Sequence, residues 1–152
     1  MRKRVALVTG VLGGIGKAIA AELSTNGVRV IITDFPGEDL DKTSSSLGLV
    51  AIGADLGKES SVASLIENLR LEVDAIDILV SAAGGVCRQA GKPINEVSEY
   101  DWREIFAANL DSVFFLTRHT GPMMTANGWG RIVTISSGAG LRPSLTGIQA
   151  YT

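Results

Sequence analysis

Gly10, Gly13, Gly14 and Gly16 fall inside one octet, Thr9-Gly10-Val11-Leu12-Gly13-Gly14-Ile15-Gly16, between a β-branched apolar run and a helical pattern. A glycine-rich turn in that setting aims backbone N–H groups and a helix dipole at an anion, above all a pyrophosphate. In that reading Gly10 makes the turn, Gly14 lets the backbone approach the phosphates, and Gly16 permits close packing of helix on strand. Asp34 lies 24 residues beyond Gly10, at the end of the next β-branched run. A carboxylate there can accept hydrogen bonds from the ribose hydroxyls of an adenine dinucleotide, and it repels a 2′-phosphate. Phe35 follows it and no basic residue stands at Gly13, so the charge logic favours NAD over NADP. The alternative for Asp34 is an ordinary capping role near Pro36.

Such a turn works only where a strand and a helix hold it, and the chain supplies an alternation of both. Buried strands are predicted over 4–9, 28–33, 49–54, 76–81 and 130–136. Helical patterns occupy 15–25, 38–47 and 59–71, the second weakened by three consecutive serines. Ser98 and Asp101 have the spacing of a capping box, opening a long helix to about Thr125 with a stripe of Trp102, Ile105, Phe106, Val113 and Leu116. Between the fourth strand and that helix, 84–97 is rich in turn-forming residues. Alternation of this kind predicts an α/β fold, a parallel sheet with helices on both faces.

Taken in order, the glycine octet, Val80-Ser81-Ala82-Ala83-Gly84, Asn109-Leu110, Ser136-Ser137 and Tyr151 resemble the short-chain dehydrogenase/reductase family. The likeness runs from Val5 to Tyr151. Pieces such as Gly130-Arg131-Ile132-Val133 and Ser136-Ser137-Gly138-Ala139-Gly140 point to its acyl-carrier-protein reductase-like members. The glycine spacing fits both the shorter branch and the extended branch that holds sugar-nucleotide epimerases; Ala83-Gly84 matches the shorter branch's Asn-Asn-Ala-Gly. Ser81 and Ala82 replace its asparagines, which removes amides that the family uses to tie the sheet together.

The resemblance implies one Rossmann-like doubly wound domain over 1–152 with strand order 3-2-1-4-5 and its C-terminal strands missing. It implies hydride transfer between nicotinamide and a carbonyl or secondary alcohol, an acyl thioester included. Tyr151 would serve as acid or base, Ser137 would hydrogen-bond the substrate oxygen, and Asn109 would hold a water. The family signature Tyr-x-x-x-Lys puts its lysine beyond Thr152, and the 152-residue form is therefore expected to be inactive. The step from Ser137 to Tyr151, 14 residues, is one longer than the family's common spacing. Cofactor contacts carried over are Gly10, Gly14, Ile15, Gly16, Asp34, Asp55, Leu56, Ala83 and Gly84. Asp55 serves equally well as a helix cap, and Asn109 as a core amide bonded to backbone. The full-length form is expected to be a homodimer or homotetramer. A binding module without catalysis and an extended-branch epimerase are the competing functions.

Bulk properties narrow the classes further. A net charge of −2 and a pI near 5.4 give no basic surface for nucleic acid. The start Met1-Arg2-Lys3-Arg4 and the apolar stretch after it imitate a secretion signal, but Lys17 and the glycines interrupt it. No apolar run reaches the ~18 residues a membrane span needs. With a single cysteine, Cys87, the cytoplasm is the expected location. Cys87 is expected to be an inert thiol, His119 a surface or helix-end residue, and Trp129 a packing residue at the fifth strand; no cluster suits a metal.

Overall fold

The computed structural model describes residues 3–142 and 147–152. The basic start's Met1 and Arg2, and part of the stretch between Ser137 and Tyr151, lie outside them. The strands are β1 (Val5–Thr9), β2 (Arg29–Thr33), β3 (Val50–Ala51), β4 (Ile78–Ser81) and β5 (Arg131–Thr134), in one parallel sheet ordered β3-β2-β1-β4-β5. Helices α1 (Gly14–Thr25), α2 (Glu38–Leu47), α3 (Glu59–Glu72), α4 (Glu99–Phe106) and α5 (Ser112–Ala126) form the crossovers. This is the Rossmann-like order implied by the sequence.

Side-chain alternation divides the core in two. Leu7, Ile31 and Leu79 face Leu65, Ile66 and Leu69 of α3 and Leu116 of α5. Ala6, Val8, Ile32 and Val80 face Ala20 of α1 and Leu40 of α2. Central β1 is buried at every residue, whereas all four residues of β5, at the edge, are exposed. No described helix is long and apolar enough to cross a membrane.

Predicted elements hold or change on folding, each for a local reason. The serine-rich helix forms over its full predicted length. Ser44 and Ser46 donate their hydroxyls to the carbonyls of Leu49 and Thr43, and three acidic residues occupy its first turn. The third strand is cut to Val50–Ala51, although Ile52 and Ala54 still donate single backbone bonds to Ile32 and Asp34. Pro36 crosses so close to Gly53 that a Cβ there would sit 2.6 Å from its own Cβ.

The long helix is broken into α4 and α5 by a π-helical turn, Ala107–Asp111. A wider turn inserts extra backbone and rotates everything after it. The buried stripe therefore runs from Ile105 to Ser112, Leu116, Thr120 and Met124, not through Val113. Trp102 lies 41% exposed and stacks on Phe106 outside the core. The capping box forms as predicted, with Ser98 and Asp101 exchanging side-chain-to-backbone bonds.

The fourth strand begins two residues later than predicted, at Ile78, although Val5 and Arg131 still make backbone bonds to the amide and carbonyl of Asp77. The buried Asp77 carboxylate accepts the Val5 amide at 2.9 Å and faces the Arg4 guanidinium at 3.5 Å. Arg4 in turn lies over the Trp129 ring, 3.6 Å from its centroid, so Trp129 packs where the sequence placed it. Asp77→Ala is expected to lower unfolding free energy by about 2 kcal/mol, since it leaves a buried amide without its charged acceptor; urea denaturation measures this, and an unchanged midpoint would refute it.

Candidate functional site

The glycine octet joins β1 to α1 at the carboxyl edge of the sheet. Gly10 has φ +71°, and a Cβ on it would lie 2.5 Å from the backbone of Ala82 and Ala83. Gly16 is buried under the turn; its Cβ would meet the Gly10 carbonyl oxygen at 2.3 Å. Gly14 differs, with open space where a Cβ would point. Gly13 caps α1 without a side chain, so no capping group covers the first-turn amides, and Gly14 and Ile15 are exposed there. Together these give two tight contacts below and an open, amide-lined cradle above, which suits a pyrophosphate.

Beside the turn opens a cleft of about 840 Å³. Gly10, Asp34, Asp55, Leu56, Ala83 and Gly84 all line it, brought together from the ends of β1, β2, β3 and β4. Asp34 does not cap a helix. One carboxylate oxygen accepts the Leu12 amide at 2.9 Å and the other its neighbour Phe35's at 2.8 Å, so it faces the glycine turn. Asp55 accepts from the Gly57 amide at 3.2 Å and pairs with Lys58 at 2.8 Å, which raises the Lys58 pKa. The residue capping α3 is Lys58, not Asp55.

Thr9 holds the floor of this cleft, a role the sequence reading missed. Its buried hydroxyl accepts the amides of Ala82 and Ala83, each at 3.1 Å. It thereby joins β1 to the end of β4 where the family's asparagine amides are lacking; the substituted Ser81 leaves its buried hydroxyl without a partner. Asn109 adds a second tie from the π-helical turn. Its amide nitrogen donates to the Gly85 and Ile105 carbonyls at 2.8 Å, and its oxygen accepts the Gly85 amide at 2.9 Å. All of these partners are backbone groups, as in the core-amide alternative. A Cβ on Gly84 would strike the Asn109 oxygen at 2.4 Å, so only glycine fits beside this tie.

Ser137 and Tyr151 are not among the residues lining the cleft. Ser137 caps a short turn, Gly138–Leu141, by accepting the Ala139 amide at 3.2 Å. Tyr151, half-buried, closes a turn on the Ile148 carbonyl at 2.9 Å. Cys87 does line the cleft, and burial, with Glu104 nearby, pushes its thiol pKa up, as an inert thiol requires. His119 is half-buried on α5 instead of lying at the surface. No group of three His, Cys, Asp or Glu side chains among the described residues could hold a metal ion.

A cluster on the loop after β4 also escaped the sequence reading. Lys92 lies 2.6 Å from the Asp101 carboxylate, and buried Gln89 donates to the Asp101 carbonyl. The Lys92 hydrogen bond, then those from the Ser98 amide and hydroxyl, lower the Asp101 pKa to about 2.

The chain matches the family model described as short chain dehydrogenase over residues 4–152. It belongs to that family. Among its relatives, a 3-oxoacyl-[acyl-carrier-protein] reductase of Aquifex aeolicus is 37% identical, with 92% of this chain aligned to 58% of that protein. D-threitol dehydrogenase of Mycolicibacterium smegmatis is 36% identical over 90% of this chain and 53% of its own length. Actinorhodin polyketide ketoreductase, in a structure of a variant with NADPH, superposes with a TM-score of 0.89 at 29% identity, over 98% of this chain and 58% of that one. The chain thus spans between half and three-fifths of the length of these relatives. The printed names of these relatives are those of reductases and a dehydrogenase.

Thr9→Val keeps the shape of the side chain but strands two amides. Expected are a loss of about 2 kcal/mol in stability and weaker dinucleotide binding, read by thermal unfolding and ligand titration; wild-type values for both would refute the tie. The folded-state pKa of Asp101 is depressed, so its contribution is full above the unfolded value of about 3.9 and is lost as pH falls toward about 2. Asp101→Asn is expected to flatten the stability curve over that acid range, as urea unfolding at stepped pH will show.

Proposed function

We propose that the protein is an NAD-dependent oxidoreductase moving a hydride between nicotinamide and a carbonyl or secondary alcohol. The observation that carries this reading is the convergence, in one cleft, of the glycine turn, Asp34, Asp55-Leu56 and Ala83-Gly84. The open cradle at Gly14 receives the pyrophosphate, with Ile15 beside it and Gly16 packing beneath. Asp34, held toward the turn by the Leu12 amide, accepts from the adenosine ribose hydroxyls. The dinucleotide, when bound, supplies or takes up the hydride.

In the reducing direction Tyr151 gives its phenolic proton to the carbonyl oxygen, and Ser137 donates a hydrogen bond to the same oxygen. Asn109 acts by fixing the Gly84–Gly85 backbone beside the cofactor. The names of relatives, a 3-oxoacyl thioester reductase and a polyol dehydrogenase, support a small carbonyl or alcohol, or an acyl thioester, as substrate. For the 152-residue chain alone we expect cofactor binding without turnover. That is also the behaviour of a non-catalytic binding module, and turnover by the full-length protein separates the two. Leu110 and Phe114, each 58% exposed on the α4–α5 face, support a homodimer or homotetramer.

The test is selectivity. A 2′-phosphate about 4 Å from Asp34 is opposed by roughly 2 kcal/mol in a watery setting, so NAD is expected to bind about 30-fold more tightly than NADP. Asp34→Asn should remove most of that ratio. Calorimetric titration of both dinucleotides gives the answer, and an intrinsic preference for NADP would sink the NAD assignment. Tyr151→Phe in the full-length protein should lose at least ~100-fold in kcat while keeping NAD affinity.

A further inference from the structure

From the contacts around Lys92 we infer a further positioning residue. Lys92, anchored on Asp101, holds the segment that carries Tyr151 against the loop following β4. The inference rests on the reading of Tyr151 as the acid or base for its catalytic meaning only; the contacts stand by themselves.

The anchorage begins at α4. Asp101 sits in the first turn, fixed by its capping box with Ser98. Two side chains of the loop grip it from opposite ends. Gln89, only 2% exposed, donates to its carbonyl, and the Lys92 ammonium meets its carboxylate at 2.6 Å. Backbone turns Val86–Gln89 and Gln89–Lys92 complete the fastening, with amide-to-carbonyl distances of 2.8 and 3.1 Å. A charge-assisted pair partly withdrawn from water holds its geometry better than a surface pair. The Lys92 carbonyl is therefore placed by α4 and not by a free loop.

That carbonyl is where the tyrosine segment docks. The Gln149 side-chain amide donates to it at 3.1 Å. Gly147, at φ +62°, passes so close that a Cβ would lie 2.6 Å from the same oxygen. Ile148 between them is buried, and its carbonyl accepts the amides of Tyr151 at 2.9 Å and Thr152 at 3.2 Å. The chain of support thus runs Ser98, Asp101, Lys92, Gln149, Tyr151. Lys92 touches no reacting group in it and acts through position alone. The cleft is lined by the start of this loop and by α4, so the device also sets the tyrosine's place relative to the cleft.

The test uses the full-length protein with Lys92→Met, Lys92→Arg and Gln149→Leu. Hydrogen exchange is followed at the Tyr151 and Thr152 amides, with β1 and β4 amides as internal reference. We expect exchange roughly tenfold faster at the two C-terminal amides in Lys92→Met and Gln149→Leu, with the reference amides unchanged and Lys92→Arg restoring protection. Unchanged exchange at Tyr151 and Thr152 in Gln149→Leu overturns the inference, and that variant leaves the Lys92–Asp101 pair intact should Lys92→Met fail to fold. In turnover, kcat should fall with KM for NAD held, again recovered by Lys92→Arg; faster exchange with wild-type kcat overturns the positioning role. If the wild type neither binds NAD nor turns over, the oxidoreductase reading fails, while exchange still decides the docking.

Discussion

The rest of the site depends on how closely β1 approaches the end of β4. With no Cβ at Gly10, the turn lies directly on the backbone of Ala82 and Ala83, and the Thr9 hydroxyl holds both amides. Gly16 then rests on the Gly10 carbonyl, which sets the start of α1 above the sheet edge. Any side chain at Gly10 would lift the turn, separate the strands and close the space in front of Gly14. The open cradle at Gly14 and the cleft floor are therefore two sides of one contact. Hydrogen bonding adds to that contact, but steric clearance comes first, because a hydroxyl cannot reach amides that a methyl group holds away.

Departures from regular structure collect at the same edge. The π-helical turn holds Asn109, Cys87 and Arg88 take positive φ, and the buried hydroxyls of Thr33 and Ser81 lack partners. Each departure costs stability locally, and each lies at or near the carboxyl ends of the strands. The opposite edge is regular and well satisfied, with Asp77, Arg4 and Trp129 closing it. Such a division, with strain on one rim and stability on the other, is what a binding surface at a sheet's carboxyl edge produces.

Much of this was legible in the residues. Strand order, the extent of α2, the capping box at Ser98 and the placing of Gly10, Asp34, Asp55 and Gly84 around one cleft all follow from period, turn chemistry and resemblance. The misses share a cause. A helical stripe through Ile105, Asn109 and Val113 looks continuous in sequence, and only the backbone of Ala107–Asp111, wound as a π-helical turn, shows the extra residue. Asp77, Thr9 and the Lys92–Asp101 pair leave no mark in the sequence because their partners are remote or their residue types ordinary. A buried threonine at a strand end carries no signal until the other strand is beside it. Asn109, expected from the resemblance to hold a water, bonds through its side chain to the Gly85 backbone and the Ile105 carbonyl.

The Thr9 tie has a further consequence, in time. Its two acceptor contacts join residues 73 and 74 positions apart, and the Asp77 contact to Val5 spans 72. A ribosome adding about 5–20 residues per second needs roughly 4–15 s to bridge such a gap. During that interval β1 and β2 can pair, but the central strand has a bare flank and the threonine hydroxyl has only water. The cleft floor is thus a late product of synthesis. A nascent chain short of Ala83 has the Thr9 hydroxyl and the Gly10 turn without the backbone on which they rest.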